Sequence, residues 1–216
     1  MQTLQLCIAL GPLAAYLFLV GLINSRRRPF LTSGARDMAV LGIALSGFFI
    51  IGPLQLFVPD TAADRFGPYI WLVMITLYSL AWTLGVLLMR PRLIIYNITT
   101  DQLRPILATT VKQLDPEMRR AGQCLIMPQL EIQLTVEPAG PLRCIQLAAA
   151  GPTQDAAGWR KLEIALAKSL KQAQAPVNRY AIALMAVAVL IGGIVTFRMA
   201  RDPQMVSQQL EEMLRL

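Results

Sequence analysis

The chain has 216 residues, of which 55% are hydrophobic and 15% are charged, with a mean hydropathy of +0.51. Ordinary soluble domains carry about 25% charged residues, so this composition excludes a typical soluble protein and favours a membrane protein. Histidine is absent and the three cysteines form no CxxC pair, which excludes a common catalytic base, the usual zinc spacings and a disulfide framework. We therefore expect no cofactor and no metal.

Four apolar runs without a charged side chain predict four transmembrane helices. These runs cover residues 4–23, 38–58, 69–89 and 180–197, each close to the ~20 residues that cross ~30 Å of hydrocarbon. A secretory signal carries positive charge before its apolar run, whereas the first run here follows the uncharged MQTLQ flank and precedes the arginines. We interpret 1–90 as a three-helix transmembrane region, 91–178 as a folded domain, 179–198 as the fourth transmembrane helix and 199–216 as a tail.

Arginine is unevenly distributed around these spans. The loop 24–37 and the segment 90–179 hold seven arginines close to span ends, whereas the other side holds three. Because basic residues beside spans stay in the cytoplasm, we expect both termini outside and residues 91–178 in the cytoplasm. Topology and contact with lipid headgroups then account for the net charge of +7, and we expect no nucleic-acid partner. The arginines assigned to this role are Arg26, Arg27, Arg28, Arg36, Arg90 and Arg92.

Two predicted spans carry the same Gly-Pro-Leu triplet at a similar depth. Gly11-Pro12 and Gly52-Pro53 each lie roughly 8–11 Å below the outer boundary, at 1.5 Å per helical residue. Proline lacks the amide N–H of a helical hydrogen bond, so each triplet predicts a helix bend. Paired bends would open a cavity in the outer leaflet, although glycine and proline are also common in membrane helices that have no such cavity.

Small and hydroxylated residues predict helix-packing faces. Gly42 and Ser46 form a small-xxx-small pair in the second span, a pattern that lets helices approach closely. Thr76, Ser79 and Thr83 fall on one stripe of the third span, where they suit internal packing or, alternatively, a polar pathway.

The segment 91–178 predicts a small cytoplasmic α+β domain with the order β-α-β-β-β-α, inserted between spans three and four. Its third strand alternates apolar and polar residues over 131–137, as a half-buried strand does. Its helices show apolar residues at helical spacing, so we expect both to cover one face of an antiparallel sheet. The predicted strands are 92–97, 123–128, 131–137 and 142–149, and the helices are about 99–114 and 155–173.

Catalytic chemistry is not organised anywhere in this segment. Glu131 and Glu137 stand ~20 Å apart along one strand at ~3.3 Å per residue, too far to flank one bond. Cys124 and Cys144 have no imidazole to activate them, so we expect core packing. The basic residues of the second helix suit a solvated face or, alternatively, an anionic-lipid surface. Asn97 begins an Asn-Ile-Thr glycosylation sequon, which we expect to stay unmodified if the domain is cytoplasmic.

The tail predicts a short amphipathic helix. Asp202 and Pro203 form a typical helix start, and Leu210, Met213 and Leu214 lie on its apolar stripe. A helix of about 14 residues is marginal alone, so this stripe needs a partner or membrane surface.

From these observations we expect a multi-pass integral membrane protein of the bacterial cytoplasmic (inner) membrane that is not an enzyme. The leading hypothesis is an accessory or scaffold subunit whose cytoplasmic domain binds a protein partner or a second copy of the chain. The alternative is a small transporter or lipid-handling protein, suggested by the two Gly-Pro triplets and the hydroxyl stripe.

Overall fold

Four helices of the chain are long and apolar enough to cross a membrane. In the computed structural model they are α1 (Thr3–Ser25), α2 (Gly34–Phe49), α3 (Tyr69–Leu87) and α6 (Arg179–Arg201). The structure describes residues 3–54, 69–122, 124–138, 143–152, 154–175 and 178–201, together with Pro203, Gln204, Ser207 and Gln208, which are helical. The part of the second predicted span beyond residue 54 and the docking residues Leu210, Met213 and Leu214 lie outside this description.

An antiparallel sheet and two further helices complete the described chain. The helices are α4 (Thr100–Leu114) and α5 (Ala156–Leu170). The strands are β1 (Phe30–Ser33), β2 (Arg92–Tyr96), β3 (Arg119–Ala121), β4 (Cys124–Met127), β5 (Ile132–Pro138) and β6 (Ile145–Ala149), in the spatial order β1-β2-β6-β5-β4-β3.

The sheet differs from the four-strand prediction by two strands. β1 comes from the loop between α1 and α2, and it pairs antiparallel with β2 from Phe30 opposite Tyr96 to Ser33 opposite Leu93. β3 pairs with β4 at the other edge. The sheet is therefore not confined to the segment between the third and fourth spans, because the short loop after α1 contributes its outer strand.

The chain divides into two compact units. The helix unit comprises Met1–Leu19, Ala39–Leu88 and Ala183–Leu216, and the sheet unit comprises Val20–Met38 and Met89–Ile182. The sheet unit thus contains the last residues of α1, the whole connection to α2 and the first residues of α6.

One face of the sheet and the inner faces of α4 and α5 form the core of the sheet unit. The alternation predicted for β5 is present, since Ile132 and Leu134 are buried and Val136 is half-buried. On α5 the predicted apolar face is buried throughout: Trp159, Leu162, Leu166 and Leu170. Both helices therefore cover the same face, as expected for an α+β arrangement. The opposite face carries a smaller cluster in which Ile94, Tyr96 and Cys144 pack with Ile23.

The residues that precede α4 and α5 help to fix where these helices begin. The Asp155 carboxylate accepts a hydrogen bond from the backbone N–H of Gly158 at 2.7 Å, which caps the N-terminus of α5. α4 begins after Thr99, whose backbone N–H donates to the Gln102 side chain at 3.3 Å. Pro105 therefore lies in the second turn of α4 and not in the first, where its missing N–H would cost least.

Within the helix unit, α2 packs closely against α3 at Gly42. A Cβ at Gly42 would lie 2.1 Å from Trp82 Nε1, and the Tyr78 hydroxyl donates to the Gly42 carbonyl at 2.6 Å. The predicted packing role of Gly42 thus corresponds to a contact with α3. The stripe of Thr76, Ser79 and Thr83 is exposed on α3, so in the single chain it does not form an internal packing face.

Candidate functional site

A groove with an apolar floor runs between α4 and the β3–β5 edge of the sheet unit. We call it the α4–sheet groove, and its volume is about 420 Å³. Its lining residues are Thr100, Asp101, Leu103, Arg104, Leu107, Ala108, Met118, Arg120, Leu125, Val136 and Pro138. Ligand pockets commonly have volumes of roughly 300–1,000 Å³, so the groove can hold several side chains of a partner.

The floor and rim of the α4–sheet groove have different chemistry. Met118, Leu125 and Val136 are only half-buried, so their apolar surface remains accessible at the floor. Arg104 projects from α4 and Arg120 from β3, and both are exposed. The Arg120 Nε–H donates to the Gly122 carbonyl at 3.1 Å, which ties this guanidinium to the hairpin between β3 and β4.

No sequence pattern indicated this groove. Residues of α4, β3, β4 and β5 line it, and the floor residues Leu125 and Val136 belong to strands whose pairing had to be known first. The available signal was the position of Met118 and Leu125 in a basic hairpin, with arginines between them.

Acidic residues of the sheet unit make hydrogen bonds and ion pairs that join its elements to one another. Buried Asp115 accepts the backbone N–H groups of Glu117 at 3.0 Å and Gln129 at 2.8 Å, which joins the end of α4 to the turn before β5. Glu163 forms an ion pair with Arg36 at 3.1 Å. In the portion of the chain that the structure describes, no group of three or more Asp, Glu, Cys or His side chains could hold a metal ion.

Cys144 is a poor nucleophile where the structure places it. The residue is only 8% exposed, and burial together with the nearby Asp37 carboxylate raises the pKa of its thiol to about 12. The thiolate is the reactive form, so this environment suppresses reactivity near neutral pH. Asp37 also accepts a hydrogen bond from the Tyr96 hydroxyl at 2.5 Å, which joins the start of α2 to β2.

The arginines assigned to topology and headgroups fall into distinct environments. Arg26, Arg27, Arg28 and Arg90 are exposed. Arg36 forms the ion pair with α5 described above. Arg92 packs along Gly34, where an added Cβ would lie 2.2 Å from the Arg92 Cγ, and its Nε is buried. Two members of the set therefore have structural contacts within the sheet unit.

The two Gly-Pro triplets also differ from each other. Gly11 and Pro12 lie within the single helix α1, and the space around Gly11 is open. Gly52 and Pro53 lie in a π-helical turn, Ile50–Leu54, that continues from α2. A π-turn is a usual response to a disrupted helical hydrogen-bond ladder, so only the second triplet coincides with a change of helix type.

Asn97 is unsuited to glycosylation in the folded chain. It is 1% exposed, and its Nδ2, the atom that would carry a glycan, donates a hydrogen bond to the Arg26 carbonyl at 2.5 Å. Its backbone has a positive φ of 59°, which asparagine tolerates better than most residues. Modification of Asn97 would therefore have to precede folding of the sheet unit.

Comparisons with protein-family models, with curated proteins and with solved structures found no match to this chain.

Proposed function

We propose that this chain is a non-catalytic multi-pass membrane protein, an accessory or scaffold subunit whose cytoplasmic sheet unit binds a protein partner. The proposal includes a bacterial inner membrane as its location and the insertion of most of the sheet unit between the third and fourth spans. The observation that carries it is the α4–sheet groove, with its accessible apolar floor and its two rim arginines.

The occupant we propose is an acidic amphipathic segment of another protein. Apolar side chains of such a segment would seat on Met118, Leu125 and Val136. Burial of one large apolar side chain contributes about 1.5–3 kcal/mol, so two or three anchors offset part of the cost of association. Acidic side chains of the segment would meet Arg104 and Arg120, which outnumber the single rim acid, Asp101.

The chain's own tail is a poor candidate for this groove. It contains the acidic amphipathic sequence QQLEEMLRL, which has suitable chemistry. However, the tail follows α6, and under the proposed topology it emerges on the opposite side of the membrane from the sheet unit. A separate protein is therefore the occupant that charge and topology favour together.

The test is purification of the full-length protein in mild detergent from its native host, using a matched pair of charge-reversal variants. Arg119 and Arg120 are adjacent exposed residues of β3, and only Arg120 lines the α4–sheet groove. We expect a stoichiometric protein partner with the native chain and with R119E, and at least a tenfold loss of that partner with R120E.

Three outcomes would contradict the proposal. Equal loss with R119E and R120E would indicate a diffuse charge effect, and a homo-oligomer as the only assembly would remove the need for a separate partner. Co-purification of tightly bound lipid without any protein would favour the lipid-handling alternative.

A further inference from the structure

We propose that a second groove of the sheet unit binds the phosphate headgroup of an anionic phospholipid. This basic groove, of about 550 Å³, lies between the loop after α1 and the C-terminal end of α5. The residues that bear on ligand binding are Arg26, Arg27, Arg28, Phe30, Ala167 and Lys171. The inference depends on membrane insertion and is independent of any protein partner.

The backbone that carries the arginines is held in place by the rest of the sheet unit. The Arg26 carbonyl accepts a hydrogen bond from Asn97 Nδ2 at 2.5 Å, and the Arg27 carbonyl accepts one from the Ala175 N–H at 2.8 Å. A topology signal requires only positive charge near a span end, with no fixed geometry. Fixed carbonyls beneath exposed guanidinium groups instead correspond to a preorganised binding site.

The charged side chains that line the basic groove are all positive. Arg26, Arg27, Arg28 and Lys171 contribute four positive charges, and none of the described residues that line the groove is acidic. Within the described ranges the ion pair of the chain is formed by Arg36 and not by these four side chains. The C-terminal carbonyls of α5 oppose them by only about half a charge, so the groove favours an anion.

The preferred anion has more than one negative charge. Arginine donates two parallel hydrogen bonds to phosphate oxygens, and three consecutive arginines can engage several oxygens of one phosphate group. A phosphomonoester headgroup, as in phosphatidic acid, therefore fits the groove better than a zwitterionic choline headgroup.

The apolar wall favours a lipid over a free phosphate ion. Phe30 is 39% exposed beside the arginines, and the half-buried Leu31 and Ala167 continue the wall. A glycerol ester can contact such a wall, whereas a small inorganic anion cannot use it. Arg26 also follows directly after Ser25, the last residue of the apolar helix α1, so the loop leaves the membrane at headgroup level.

The test uses the purified full-length protein in mild detergent, titrated with short-chain phosphatidic acid and followed by native mass spectrometry. Lys171 and Lys168 are exposed lysines of the same helical region, but Lys168 lines a different groove, between α4 and α5. At about fivefold per basic residue, we expect K171Q and R28Q each to weaken binding about fivefold, and the double variant about 25-fold. K168Q should change the affinity less than twofold.

Phosphatidylcholine and inorganic phosphate are the control ligands. We expect neither to bind in the range where phosphatidic acid binds. Equal effects of K168Q and K171Q would overturn the proposal in favour of a diffuse basic surface, and binding of phosphatidylcholine with similar affinity would overturn the charge argument. Competition by inorganic phosphate at equal concentration would show a free-anion site and overturn the lipid assignment. R28Q leaves Arg26, Arg27 and Arg36 in the loop, so the topology signal is kept.

Discussion

Replacement of Gly158 by alanine should destabilise the sheet unit, although it introduces a better helix former. Gly158 lies in the first turn of α5, and a Cβ there would stand 2.1 Å from the Leu130 carbonyl oxygen, whereas ordinary contact begins at 3.4 Å. The helix would have to move away from the turn Pro128–Leu130 by more than 1 Å, which would loosen the packing of Trp159 and Leu162.

The expected magnitude follows from two opposing effects. Alanine gains at most about 1 kcal/mol of helix propensity over glycine. Overpacking of a close contact costs about 1–3 kcal/mol, and here the opposing atom belongs to the backbone and cannot rotate away. We expect a net loss of about 1–2 kcal/mol.

Hydrogen exchange of α5 measures this loss locally, which suits a chain of two units in which a single melting temperature is poorly defined. Amides of α5 should exchange about 5- to 30-fold faster in G158A than in the native chain, because 1.4 kcal/mol corresponds to a factor of ten. The exposed neighbour Ala157 provides the control, since A157G should show only the propensity loss. Slower exchange in G158A would refute the close approach of α5 to the turn.

Three further predictions concern single residues. At pH 8, Cys144 should be alkylated about 1,000-fold more slowly than a thiol with the ordinary pKa of 9, with an added unstructured cysteine peptide as the reference in mass spectrometry. Comparable rates would contradict its burial. N97A should raise the rate of tryptic cleavage at the triple arginine about tenfold. The substitution removes a buried hydrogen bond to the Arg26 carbonyl, and alanine tolerates the left-handed backbone conformation of this position less well than asparagine. An unchanged cleavage rate would show that this loop is held by other contacts. G42L should shift the fluorescence of Trp82 and lower the temperature at which the detergent-solubilised protein aggregates, because the leucine side chain would occupy the space of the indole. A native spectrum would argue against this contact.

The elements that could be predicted were those whose pattern is complete within one segment. The alternation of β5 and the apolar face of α5 each require only local periodicity, and both correspond to buried residues in the structure. The four apolar helices follow from length and hydropathy in the same way.

The elements that were missed depend on distant partners. β1 is only four residues long, and its strand character comes from pairing with residues of β2 that lie 60 to 66 positions further along the chain. β3 is shorter and basic, with no apolar alternation. The α4–sheet groove and the basic groove combine residues from separate elements, so neither has a signature in any one stretch of sequence. The same limit applies to Gly158, whose importance lies in a contact with Leu130.

The most direct measurement of the central claim is site-specific photo-crosslinking in native cells. A photoreactive amino acid would replace Leu125, at the floor of the α4–sheet groove, or Ile164, which is apolar and 66% exposed on α5 outside that groove. We predict a defined protein adduct at Leu125, mapped to a segment with acidic and apolar residues, and no such adduct at Ile164. Adducts of equal yield at both positions, or none at Leu125, would contradict the proposal that this groove binds a partner.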